Sequence, residues 1–224
     1  MAALSPRLEA VLAAAGRCGV LADICADHAL VALAAVARGA ATHAIAVELR
    51  SAPLLLASRN LALSRLGGRV LLVRGSGLAP VRRADVIVIA GVGGDLAAQL
   101  LGAAGSLGAP SLGLTSRVVV QPNRHSREVR AWARGAGFHL VEERAVAEGE
   151  QLHLVLSFEK RGGEDPAYGA RPVEAELLLG PLLLASADPA ARLFLRRERQ
   201  RLRALSGHRA EFACAAAVLE ELLG

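Results

Sequence analysis

The sequence predicts an α/β fold built on a doubly wound, mainly parallel sheet of seven strands. Three observations carry that expectation. Short apolar runs alternate with alanine-rich helical stretches at the spacing of strand–helix–strand units. The run Ala84 to Ala90 (ADVIVIA) is apolar along its whole length, as suits a strand covered on both faces. Phe138 to Val146 and Gln151 to Glu159, joined through Glu148-Gly149-Glu150, read as a closing antiparallel pair, which separates this sheet from a plain dinucleotide-binding one.

The elements follow in order. Ser5-Pro6-Arg7-Leu8-Glu9 opens a helix, because Ser5 can cap it, Pro6 suits its first position, and Leu8, Val11, Leu12 and Ala15 share a face. Val20 to Asp23 is the first strand, followed by a helix from about Asp27 to Arg38 that ends at Gly39. Thr42 to Leu49 is the second strand, with Glu48 at its end. Ser51-Ala52-Pro53 opens a helix that carries Leu55, Ala57, Leu61 and Leu63 and closes at Gly67-Gly68. Arg69 to Val73 is the third strand, with a turn at Gly75-Ser76-Gly77. Ala84 to Ala90 is the fourth, followed by Gly91-Val92-Gly93-Gly94 and a helix from about Asp95 to Ala104. A loop with Gly108 and Pro110 leads to the fifth strand, Ser116 to Val120, which Gln121-Pro122-Asn123 ends before a helix holding Val129 and Trp132.

Arg161-Gly162-Gly163-Glu164-Asp165-Pro166 has the composition of a linker. Beyond it the pattern is helical only: Val173 to Leu184, Pro189 to about Leu205, and a last helix after Gly207 ending near Leu223. Two domains are therefore expected, residues 1–160 and residues 161–224.

Composition bounds the function. Hydrophobic residues make up 53% of the 224, enough for a full core, while aromatics at 3% are too scarce for a dedicated single-strand-binding platform. The net charge is +5 and Lys160 is the only lysine, so the positive charge is nearly all arginine, the side chain that grips phosphate in bidentate fashion. A GC-rich genome inflates Arg together with Ala, Gly and Leu, so charge alone does not name a partner. Cys18, Cys25 and Cys214 show no metal or redox spacing, and their odd number suits a reducing interior. No secretory signal pattern or bilayer-length apolar run is present, so a cytoplasmic protein is expected, with no membrane partner and no metal.

The chemistry concentrates at the carboxyl ends of the strands, where open α/β sheets hold ligands. Glu48 stands where an acid accepts both hydroxyls of a ribose. Asp23 and Asp27 bracket the first turn and can hold a cofactor's amino group; Asp27 can equally cap the following helix. His28 suits local hydrogen bonding or acid–base work. The turn has Cys25 and Ala26 where a pyrophosphate-binding fingerprint needs glycines, which counts against NAD and leaves room for S-adenosylmethionine, a cofactor with no phosphate. Gly91, Gly93 and Gly94 allow close approach of the backbone to a ligand, or simply a tight turn. Gln121, Pro122 and Asn123 can present amides to a base edge or end a strand. Arg192, Arg196, Arg197, Arg199, Arg201 and Arg203 form a basic stretch, a solvated helix face or an RNA-backbone contact.

Together these motifs resemble the bacterial tRNA (adenine-22-N1)-methyltransferase family. The resemblance runs from Leu4-Ser5-Pro6-Arg7-Leu8 through Ala22-Asp23-Ile24-Cys25-Ala26-Asp27-His28-Ala29, Ile89-Ala90-Gly91-Val92-Gly93-Gly94 and Gln121-Pro122-Asn123 to Leu179-Gly180-Pro181-Leu182 and the arginine-rich helix. It implies a Rossmann-like class I methyltransferase domain, a small coiled-coil-like C-terminal domain that helps hold tRNA, and S-adenosylmethionine as cofactor. It implies cofactor contacts at Asp23, Asp27, His28, Glu48, Ser76, Gly91, Gly93 and Gly94, with Asp27 and Asn123 at the reaction centre. Gln121, Pro122, Asn123, Arg196 and Arg197 would then meet the substrate. The departures are Cys25 for glycine in the first turn, Ser76 for Asp or Asn, Val92 for Met, His153-Leu154 for Tyr-Glu, and a short C-terminal domain. On the residues alone, a non-catalytic RNA- or partner-binding protein and a methyltransferase for another substrate stay open beside the tRNA enzyme.

Overall fold

A computed structural model of the chain describes residues 3–106, 110–205 and 209–224. Its centre is the expected seven-stranded sheet. The strands are β1 (Cys18–Ile24), β2 (Ala41–Glu48), β3 (Val70–Arg74), β4 (Val86–Val92), β5 (Arg117–Pro122), β6 (Phe138–Glu148) and β7 (Gln151–Lys160). They lie in the order β3-β2-β1-β4-β5-β7-β6. The first five are parallel and β7 runs antiparallel between β5 and β6.

The apolar run in β4 shows why two layers of helices form. Alternate side chains of a strand point to opposite faces. Val86 and Val88 enter the core shared with α1 (Pro6–Ala15) and α2 (Leu30–Ala37), while Ile87 and Ile89 enter the core under α4 (Gly94–Ser106) and α6 (Ser126–Gly135). All four are buried, at 3% exposure or less. Each fully buried Val or Ile is worth about 1.5–3 kcal/mol, so β4 anchors the sheet from both sides. By contrast, α3 (Ser51–Ser64) buries only Ala57 and leaves Leu55 and Leu63 in solvent.

Several boundaries differ from the sequence expectation. The helix expected from Asp27 starts three residues later, at Leu30, with Ala29 in the left-handed conformation at its cap. Asp27 is therefore not that helix's cap. The carboxylate of Asp23 takes that work instead, accepting the Ala32 N–H at 3.1 Å. Pro110, expected in a loop, opens a short helix α5 (Pro110–Leu114), as a residue with φ fixed near its helical value can. Gly108 and Gly207 lie outside the described residues.

The expected helix Val173 to Leu184 is two helices, α7 (Val173–Leu179) and α8 (Pro181–Ala185), broken at Gly180 with φ +97°. The break has a cause. A Cβ at Gly180 would lie 2.5 Å from the Glu143 carboxylate and 2.7 Å from the Arg130 guanidinium. These two side chains form an ion pair at 2.6 Å, both fully buried, where α6 and β6 meet the C-terminal helices. Arg130 also donates to the carbonyls of Leu177 and Leu178 at 2.7 and 3.2 Å, and Glu143 accepts the Leu182 and Leu183 N–H groups at 3.0 and 3.3 Å. The pair thus satisfies the open end of α7 and the open start of α8 together. Beyond it, α9 (Pro189–Leu205) and α10 (Ala210–Leu223) pack with α7 around a small core of their own that includes Leu179, Leu195, Leu202 and Leu219. Among the described residues, no helix is long and apolar enough to cross a membrane.

Candidate active site

Three of the five non-glycine residues with positive φ among the described residues lie in the turn after β1. Cys25, Asp27 and Ala29 have φ of +59°, +48° and +56°. A left-handed conformation costs a residue with a side chain roughly 1–2 kcal/mol, somewhat less for Asp. Several bonds hold it. Ala26 N–H donates to the Val47 carbonyl at 3.0 Å, Asp27 N–H to Glu48 Oε2 at 3.1 Å, and Asn60 Nδ2 to the His28 carbonyl at 3.0 Å. Strain that the surroundings hold in place concentrates at functional sites. Cys25 occupies a conformation that favours glycine.

This turn faces Gly91 and Val92, which end β4, across a cavity of about 240 Å³. Asp23, Cys25, Asp27, His28 and Gly91 line it. The parallel register explains the convergence, since Asp23 in β1 pairs with Val88 in β4 and with Ala46 in β2. Burial, the nearby charge of Glu48 adding to it, pushes the Asp23 carboxyl up to about 7 against the pull of the Ala32 N–H. His28 Nε2 lies 3.1 Å from Asp27 Oδ2, the local bond expected for it. Burial also pushes the Cys25 thiol up, so it is a neutral wall rather than a nucleophile.

Other expected residues stand apart from the cavity wall. Glu48 is buried behind the turn, and its oxygens receive Asp27 N–H, Arg50 N–H at 2.9 Å and Arg50 Nε at 3.2 Å. Those bonds together hold its carboxyl below the usual carboxylate range, although burial pushes the other way. Ser76 is exposed at the end of β3. Gly94 serves backbone packing: a Cβ there would lie 2.0 Å from the His125 carbonyl oxygen. Gly93 sits in the same crossing, near Arg124. Gln121 is fully buried and holds the site together, because its Oε1 accepts the Gly91 N–H at 3.0 Å and an N–H of Arg7 at 2.5 Å. Burial takes its amide away from a base edge.

Asn123 stands between this cavity and a second one. Its Nδ2 donates to the Gly91 carbonyl at 2.8 Å and its Oδ1 accepts from Gln121 Nε2 at 3.3 Å. Asn123 and Pro122 also line a groove of about 820 Å³ between the ends of the sheet and the C-terminal helices. On α9 the side facing this groove carries Phe194, Glu198, Arg201 and Leu205. Arg196 and Arg197 do not line it; Arg197 instead donates to the Glu150 carbonyl at 2.9 Å. The groove's arginines are Arg124, Arg127, Arg201 and Arg209, which sequence reasoning missed as a set because the loop after β5, α6, α9 and the start of α10 each contribute one. Among the described residues, no group of three or more His, Cys, Asp or Glu could hold a metal.

The family model described as a methyltransferase domain matches residues 4–156. A Bacillus subtilis tRNA (adenine(22)-N(1))-methyltransferase is 35% identical over 182 residues, which is 80% of this chain and 74% of that protein. The crystal structure of the B. subtilis m1A22 tRNA methyltransferase TrmK superposes with a TM-score of 0.87 at 30% identity, covering 99% of both chains. A Streptococcus pneumoniae protein crystallised in complex with S-adenosyl-L-methionine superposes with a TM-score of 0.86 at 27% identity, over 99% of this chain and 100% of that one. The superpositions run through the C-terminal helices as well as the sheet.

Proposed function

The chain belongs to the methyltransferase-domain family and, within it, to the tRNA (adenine(22)-N(1))-methyltransferases, and from that premise we infer how its residues divide the work. It is an S-adenosylmethionine-dependent methyltransferase acting on N1 of an adenine in tRNA. The observation that supports the site assignment is the position of Asn123, bonded to the Gly91 carbonyl at the rim of the smaller cavity and lining the larger groove beside it. Residues 1–160 form the catalytic domain in this reading and residues 161–224 a helical domain that walls the groove; β7 ends at Lys160 and α9 and α10 have their own core. The cytoplasm is the compartment that goes with a tRNA partner.

The cavity's donor set fits the cofactor. Asp23 and Asp27 present carboxylates to a ligand that carries a sulfonium and an ammonium, and the turn lacks the glycine nest that a pyrophosphate needs. Bound there, S-adenosylmethionine supplies an electrophilic methyl group, which the in-plane lone pair of adenine N1 takes as the carbon–sulfur bond breaks. N1 bears no proton, so no general base is required. The methylated ring becomes cationic, and Asp27, half-exposed at the cavity, stabilises the developing charge. Asn123 has two amide donors and two lone pairs; after its bonds to Gly91 and Gln121, one of each remains for a base edge. N1 lies on the Watson–Crick edge, so the target base must leave its pair to reach Asn123. Alignment of the two reactants supplies most of the acceleration.

The test is methyl transfer to bulk tRNA followed by nucleoside mass spectrometry. The expected product is 1-methyladenosine, reduced about 100-fold or more in Asn123→Ala while the dissociation constant for S-adenosylmethionine stays within about threefold. Cofactor binding without any methylated nucleoside would identify a scaffold or an enzyme for another substrate.

A further inference from the structure

The positive charge of the chain is not spread evenly. Residues 49–84 hold seven arginines and no acid, while the remaining residues carry 19 basic side chains against all 21 acids. The net charge of +5 therefore sits in this one stretch. A genome that favours arginine codons raises arginine everywhere; it does not clear acids from 36 consecutive residues. All seven arginines are exposed. Arg50 pairs with Glu48 and Asp27. The other six, Arg59, Arg65, Arg69, Arg74, Arg82 and Arg83, form no ion pair with an acid among the described residues.

The fold gathers this stretch on one edge of the molecule. It covers α3, the outermost strand β3 and the chain leading to β4. Arg69 and Arg74 flank β3, about 17 Å apart at 3.3 Å per residue. Arg59 lies on α3 and Arg65 at its C-cap. Because β3 and β4 run the same way, Arg82 and Arg83 stand at the end of the sheet where Arg69 stands. Arg74 stands at the other end, level with Glu48 and the cofactor cavity. β3 lies three strands from β4 in the sheet, about 14 Å away at 4.8 Å per strand. Charges beside an edge strand also keep it from pairing with another sheet. That role accounts for Arg69 and Arg74 but not for Arg59, Arg82 or Arg83, which lie off β3.

Resting on the reading of the chain as a tRNA methyltransferase, we propose that this edge grips the phosphate backbone of the tRNA to one side of the target base. Unpaired guanidiniums on a surface without acids suit a polyanion. The groove under α9 and α10 lies on the opposite side of β4, so the tRNA is held on both flanks of the base that must leave its pair.

The test compares tRNA binding across 50–200 mM salt for three proteins, each with its melting temperature checked. One is the wild-type chain. The second combines Arg59→Gln, Arg65→Gln and Arg69→Gln. The third makes the same change in net charge elsewhere, with Arg38→Gln, Arg144→Gln and Arg161→Gln, whose arginines already pair with acids. The edge variant should bind tRNA about 10-fold or more weakly in 50 mM salt. Its slope of log affinity against log salt should be shallower by about 2–3, the share of three phosphate contacts. Its dissociation constant for S-adenosylmethionine should stay within about twofold, and the third protein should keep the wild-type slope. Equal slopes in all three, or equal losses in both variants, would overturn the proposal while leaving the methyltransferase reading intact. Leu55 and Leu63 stand in solvent on the same edge, so vesicles of phosphatidylglycerol and phosphatidylcholine are the rival ligand. Vesicle binding that Leu55→Ser with Leu63→Ser abolishes, with tRNA affinity unchanged in the edge variant, would assign the edge to a membrane and overturn the proposal. A wild-type chain that neither binds nor methylates tRNA would sink both readings.

Discussion

Breaking the Arg130–Glu143 pair should unlatch the C-terminal helices from the sheet. Both side chains are fully buried, and between them they make bonds to four backbone groups of α7 and α8. In Arg130→Met the alkyl stem survives, but a buried carboxylate loses its cation and the carbonyls of Leu177 and Leu178 lose their donor. Removing one partner of such a pair costs about 3–5 kcal/mol. Glu143→Leu strands the guanidinium and the N–H groups of Leu182 and Leu183, at a similar cost. The double variant leaves no buried charge unpaired, so it should lose less than the sum of the singles by about 1–3 kcal/mol. Against a total stability of about 5–15 kcal/mol these are large effects. Urea unfolding of the four proteins gives the coupling. Proteolysis in the stretch 161–172 should accelerate in the singles, and tRNA affinity should fall while cofactor affinity holds within about threefold. Singles that each cost under about 1 kcal/mol, or a double equal to their sum, would refute the latch.

Two further outcomes follow from the first turn. The folded state holds the Asp23 proton up to about pH 7, whereas the unfolded chain releases it near 3.8; Asp23's contribution to stability is therefore full below about pH 4 and lost as pH rises through 7. A cationic cofactor favours the ionised form, so its binding should release a proton near neutral pH and tighten up to about tenfold from pH 6 to pH 8, with both effects absent in Asp23→Asn; calorimetry in two buffers of different ionisation heat reads them. Cys25→Gly relieves a side chain held at φ +59° and should raise stability by about 1 kcal/mol, or roughly 2–4 °C in melting temperature. A lower melting temperature would mean that the thiol's packing outweighs the backbone strain.

The seven strands, their alternation with helices and the closing hairpin were legible because apolar period and turn residues are local signals, strongest in β4, whereas the order of the strands in the sheet is not a local signal. The acids and glycines at the ends of β1 and β4 were legible for the same reason: a parallel strand that carries Asp23 or Gly91 near its carboxyl end delivers it to the shared edge of the sheet. What stayed hidden depends on contacts distant in sequence. Nothing local marks Arg130 and Glu143 as partners, or Gly180 as the residue that makes way for them. Arg7 was visible only as a motif letter, since its use comes from α1 crossing to Gln121. The arginines of α9 form one basic stretch in the sequence, but the packing of Leu195 and Leu202 turns Arg201 to the groove and leaves Arg196 off it. The helix after β1 starts later than its pattern suggests because Cys25, Asp27 and Ala29 take left-handed conformations, which are unexpected of residues other than glycine.

The strand order carries a consequence for biosynthesis. Because β7 sits between β5 and β6, the outer edge of β5 has no neighbour until residues 151–160 have left the ribosome. A nascent chain that already holds the whole cofactor crevice therefore displays an open row of peptide groups, a template for misassociation between growing chains. Translation through the hairpin is the step that seals it, and the arginine-rich tail emerges only onto a sheet that is already closed.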